Sequence, residues 1–86
     1  MKYKLVRVEW LDAKATSHWT SLADVKSFEP VEIVAVGYLL EKTKKKVTVA
    51  GCMSELGNVS DICVIPGNWV KKIQYIKGQS YEFKGS

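Results

Sequence analysis

Shortages say as much about this chain as what it contains. Two cysteines, Cys52 and Cys63, stand in 86 residues. That is too few for a disulfide scaffold, and they lack metal-ligand spacing, so they read as reduced, partly buried thiols. A single histidine, His18, is the only side chain whose ordinary titration range lies near neutral pH. No run approaches the roughly 18 to 20 apolar residues of a membrane-crossing helix. The charged opening "MKYKLVRVEW" also lacks the uninterrupted apolar segment of a signal peptide. The expectation is a cytoplasmic protein without membrane attachment. Acidic residues are outnumbered, 9 against 13 lysines and arginines, for a net charge of +4. Asp12, Asp24, Glu29 and Glu32 surround one short segment, but no pair among them has the spacing of a metal site or an acid and base couple. No metal, cofactor or catalytic set is expected, and the chain reads as a non-enzyme.

What is present is ordinary for a folded module, with 47% hydrophobic and 26% charged residues. A domain of this size buries only about 60 to 65% of the surface its unfolded chain exposes, so its core must be small. "KLVRVEWL" alternates, with Val6, Val8 and Trp10 on one face and Leu5, Arg7 and Glu9 on the other, the period of a half-buried strand. "DAKATSHWTS" has no apolar period and is predicted to be a surface loop. "SLADVKSF" predicts one or two helical turns, opened by Ser21 with Asp24 three residues on and ended before Pro30.

"VEIVAVGYLLE" is apolar on both faces, with Val34, Val36, Tyr38 and Leu40 alternating with Ile33, Ala35 and Leu39. That predicts a central strand, with a bulge or bend at Gly37. "KTKKK" and "SELGN" mark hairpin turns on either side of "VTVAGCM". "VSDICVI" runs to Pro66, "PGNW" turns the chain, and "VKKIQYI" is the last predicted strand. The fold class is therefore mainly β: a small five-stranded, strongly bent antiparallel barrel with one short helix. Residues 1–78 form the domain, and residues 79–86 form a C-terminal tail that is either loose or adds an edge strand through Tyr81 and Phe83. A second apolar face on one small barrel needs a cover, from the helix, the tail or another subunit, so a homo-oligomer is expected.

"IPGNWV", Ile65 to Val70, resembles the single tight turn that joins the last two strands of Src-homology-three barrels. "VGYLLEKTKKKVTVAGCM" followed by "VIPGNWVKKI" resembles the two successive motifs of Sm-like barrels. Both resemblances imply a Src-homology-like topology. Neither carries a binding site across, since "KTKKK" has no asparagine for RNA and Pro66 stands where Sm-like proteins usually have arginine. The arrangement "WLDA", "SLADV", "VGYLLE", "VIP" is similar to a group of short proteins encoded by tailed phages and prophages. That resemblance implies a setting, expression in the cytoplasm of an infected host cell, and favours a small binding protein that interferes with a host process, anti-defence among the candidates.

Lys42, Lys44, Lys45 and Lys46 crowd one segment, and Lys71, Lys72 and Lys77 another, which favours anionic partners or guards a strand edge. Trp69 lies at the closing turn, as a contact residue or as a ring tucked under the barrel end. Trp19 and His18 lie in a small-polar loop, where flat rings can stack on a base or a partner. The candidate ligand-binding residues are thus His18, Trp19, Lys42, Lys44, Lys45 and Trp69. The leading functional expectation is a phage-type binding protein that sequesters a small anionic ligand such as a nucleotide, with signals of host immunity among the candidates. The alternatives are an Sm-like binder of single-stranded nucleic acid and an interaction module that inhibits a host enzyme.

Overall fold

The computed structural model describes residues 2–13 and 17–83. Its elements are β1 (Lys2–Asp12), α1 (Leu22–Val25), β2 (Val31–Lys42), β3 (Lys46–Met53), β4 (Val59–Pro66), a 3-10 turn (Gly67–Trp69) and β5 (Val70–Glu82). The strands form one antiparallel sheet in the order β4-β3-β2-β1-β5. The mainly β class, the five antiparallel strands and the one short helix are as the sequence predicts. The expected closed barrel is not reached in the hydrogen bonding, because no ladder joins β4 to β5 among the described residues and these two strands are the sheet's edges.

Alternation builds the core. Val6, Val8 and Trp10 of β1 are buried, joined by Val47 and Val49 of β3 and Ile65 of β4, with Ile33, Ala35, Leu39, Cys63, Val70 and Ile73 packed against them. Every strand contributes to this one cluster. Register explains the set, since Val8 faces Ala35 and Trp10 faces Ile33, which puts all four on one side of the β1–β2 pair. Gly37 sits in the middle of β2 but produces no bulge. It pairs in register with Val6, and a Cβ there would lie 2.8 Å from the carbonyl oxygen of Ala50, so the glycine serves a close backbone approach. The bulge of β2 instead falls between Leu39 and Glu41.

Both predicted hairpins form. In the first, the Thr43 hydroxyl accepts the amides of Lys45 and Lys46, and in the second Ser54 donates its amide to the Asn58 carbonyl while Gly57 turns at φ 89°. The 3-10 turn docks on the first hairpin. Gly67 donates its amide to the Lys45 carbonyl at 2.8 Å, an approach so close that a Cβ on Gly67 would collide with the Lys44 carbonyl.

β5 runs past residue 78 to Glu82, pairing Tyr81 with Tyr3 and Glu82 with Lys2. Tyr81 and Glu82 are therefore part of the sheet, whereas residues 84–86 lie outside the described residues. Tyr81 contacts both Tyr38 and Phe83 edge-on, and Phe83 contacts Tyr3, closing an aromatic cluster at the end of β1. In the β1–β2 connection, residues 14–16 of the predicted loop lie outside the described residues. Residues 17–30 are all exposed, and α1 buries none of its side chains.

Candidate functional site

One concavity arises from a mismatch between two paired strands. On β1, Lys4 and Val6 are separated by one residue. Their partners on β5, Ser80 and Tyr75, are separated by four, so residues 76–79 must loop out. Gly78, at φ 77°, takes the left-handed conformation that this excursion requires and that side chains resist. The result is a cleft of about 220 Å³ between the bulge and the start of β1.

Its lining is basic. Lys2 and Lys4 continue the face of β1 that carries Val6, Val8 and Trp10, so alternation places two ammonium groups at the end of the core rather than on the opposite side. Lys77 and Gln79 come from the bulge, and Gln79 with Ser80, the ladder partner of Lys4, supplies neutral donors and acceptors. Tyr75 forms an aromatic wall, and the Lys4 Nζ lies 5.6 Å from its ring centroid. Among the described residues no carboxylate lines the cleft, although Glu82 stands opposite Lys2 in the ladder. The ion pairs found among the described residues, Arg7–Glu9, Lys46–Glu41 and Lys71–Glu32, leave Lys2, Lys4 and Lys77 uncompensated. Three lysines around one small cavity, none of them in an ion pair among the described residues, favour a compact anion.

The predicted site residues fall into two groups elsewhere. Lys44 and Lys45 occupy the turn on which the 3-10 turn docks, and Lys42 ends β2 beside them, opposite Val47. Trp69 closes that same 3-10 turn and is 39% exposed, so this corner does bring Lys44, Lys45 and Trp69 into one region. His18 and Trp19 lie in the exposed β1–β2 connection, where Thr20 donates its hydroxyl to the His18 carbonyl. Neither lines the cleft.

Sequence reasoning missed Lys2, Lys4 and Tyr75 as site residues. A signal was present, because Lys2 and Lys4 share the parity of Val6 and Val8, and lysines on a core-facing parity mark where a core opens to solvent. Among the described residues, no group of three or more His, Cys, Asp or Glu side chains is placed to hold a metal, and no helix is long and apolar enough to cross a membrane. No family model, curated protein or solved structure matches the chain.

Proposed function

We propose that the protein is a non-enzymatic binding module that holds a small phosphorylated anion, a nucleotide foremost, with its phosphate in the cleft of Lys2, Lys4 and Lys77. The single observation that carries this reading is the convergence of three uncompensated lysines on one cavity beside an aromatic ring. A volume of about 220 Å³ lies below the range of about 300 to 1,000 Å³ usual for pockets that enclose whole ligands. It suits a phosphate with part of its sugar, leaving the base outside. The fold belongs to the same proposal: the strand order, the 3-10 turn between β4 and β5, and a core cluster fed by all five strands support a Src-homology-like barrel. The resemblance to phage-encoded proteins directs the choice of ligand toward nucleotide signals of host defence, with the host cytoplasm as the setting.

The test is calorimetric titration with mononucleotides, cyclic nucleotides and the matching nucleosides. Phosphorylated ligands should bind and nucleosides should not. Lys4→Ala with Lys77→Ala should weaken binding about tenfold or more, at roughly 1 kcal/mol for each charge near the surface. Equal affinity in the double variant would remove the cleft as the site. Ligand released as a cleaved product after heating would mean that the protein is an enzyme.

A second reading is favoured by the docking of the 3-10 turn on the lysine hairpin, which puts a half-exposed ring and a basic segment at one corner, the two elements that binders of single-stranded nucleic acid combine. Changing Lys42, Lys44 and Lys45 to Ala should then lower the log–log salt slope by about 0.7 for each phosphate that no longer meets a lysine. An unchanged slope in filter-binding assays would leave those lysines as guards of the turn.

A further inference from the structure

Residues 17–30 form an arm whose residues are all exposed. Ser21 caps α1 by accepting the Asp24 amide at 3.1 Å, Val25 donates its amide to the Ser21 carbonyl, and Phe28 donates to the Val25 carbonyl, each at 3.0 Å. A helix of one turn is far too short to hold itself together in water, since nucleation fixes several residues for a single hydrogen bond. Ordering this arm costs conformational entropy that burial normally offsets. Yet Trp19, Leu22, Val25 and Phe28, spaced three apart, are all exposed, Trp19 fully so.

The sheet has the complementary deficit. Its core side is filled, but the other side shows Val34 and Val36 on β2 and Ile62 and Val64 on β4, each about half exposed. Ile62 ends the cross-strand row Tyr38, Ala50 and Ile62, Val64 lies opposite Thr48, and Val34 and Val36 lie opposite Glu9 and Arg7 of β1. α1 buries none of its own side chains, and the aromatic cluster of Tyr3, Tyr38, Tyr81 and Phe83 lies at one end of the sheet.

We propose that two copies of this chain exchange arms, the stripe of Trp19, Leu22, Val25 and Phe28 from each lying on the Val34, Val36, Ile62 and Val64 face of the other. Each copy gives one arm and receives one, so the contact closes as a two-fold dimer and does not propagate. The area is sufficient. With about 150 to 250 Å² for a buried aromatic and less for the aliphatic residues, the arm side chains offer on the order of 500 Å². Two arms and two receiving faces then bury on the order of 2,000 Å², within reach of the roughly 1,200 to 2,000 Å² of stable interfaces. Edge-to-edge pairing is the less suited route, because β4 carries Asp61 at φ 54° and β5 carries the bulge at Gly78. The proposal does not depend on the basic cleft.

Sedimentation equilibrium across a concentration series tests it with three proteins. The wild type should be a dimer at about 10 µM. Trp19→Ala with Leu22→Ala alters only exposed arm positions, and Val36→Lys only the receiving face. Each should raise the dimer Kd at least a hundredfold while circular dichroism shows the fold intact. Mixing the arm variant with the face variant should restore a heterodimer with one intact arm-to-face contact, which a face-to-face dimer could not produce. A wild type that stays monomeric at 100 µM, variants that dimerise as well as the wild type, or a mixture that shows no heterodimer would each overturn the proposal.

Discussion

Trp10 and Trp69 show how far a single residue's role can be read from its neighbours in sequence. Trp10 alternates with Val6 and Val8 and is 6% exposed, so parity alone places it in the core. Trp69 follows a Pro-Gly break, where no period exists to choose between a contact residue and a tucked ring. At 39% exposure it is partly each, packed on one side and open on the other. Truncating them should separate the two situations. Trp10→Ala should cost about 3 to 5 kcal/mol, as for a buried tryptophan. Trp69→Ala should cost less, about 2 kcal/mol, in proportion to the area it hides. Thermal melting of the two variants checks this, since each kcal/mol shifts Tm by about 4 to 8 °C in a domain this small. The cleft lysines are harder to read because their placement depends on a register mismatch, and a mismatch is a property of two strands rather than of either one.

At the scale of elements, β-branched alternation and turn chemistry make every strand legible from β1 to β4, along with Ser21 as the helix cap. The length of β5 is not legible in the same way. The segment "KGQSYEF" combines a glycine with polar residues and looks like a chain end, but its partner is at the other end of the chain, where Lys2 and Tyr3 provide the ladder. The role of Gly37 is hidden for a similar reason, since the close approach it permits belongs to β3. Removing residues 79–86 should therefore destabilise the sheet rather than trim a tail, because Tyr3 and Tyr38 would be left without their edge-on partners Tyr81 and Phe83. Aromatic pairs are worth about 0.5 to 1.5 kcal/mol each beyond their buried area. With the whole aromatic cluster dismantled and that area exposed, the urea midpoint should fall markedly. A truncated protein that unfolds at the parent's urea concentration would return these residues to the status of a tail.

The whole molecule is long for its size, 58 Å by 22 Å by 21 Å with a radius of gyration of 16.7 Å, where a compact chain of 86 residues would measure about 12 Å. Eleven- to thirteen-residue strands and the arm account for this shape. The arm's anchors are already neighbours, Asp12 pairing with Val31. Replacing residues 14–29 by a two-residue Asn-Gly turn should thus leave the sheet folded. In dilute monomeric solution Tm should change by only a few degrees, since every residue from 17 to 30 is exposed. Circular dichroism melts would show it, and a collapse of the sheet signal would reveal support from the arm that the structure does not display.

The pairing of Lys2 with Glu82 also has a bearing on how the chain reaches its native state. The β2–β3 and β3–β4 contacts close loops of only a few residues, whereas the β1–β5 ladder joins positions about 60 to 80 residues apart, and loop closure grows costlier with the logarithm of that separation. The three-stranded meander should therefore assemble early and the outer pair late. Pulsed hydrogen exchange should protect amides of Val47 and Val49 before those of Ile73 and Tyr75. On a ribosome the order has a further meaning: β1 is made before β5 and stays unpaired on one side until β5 has emerged, and for that interval its core valines are open to any other strand nearby.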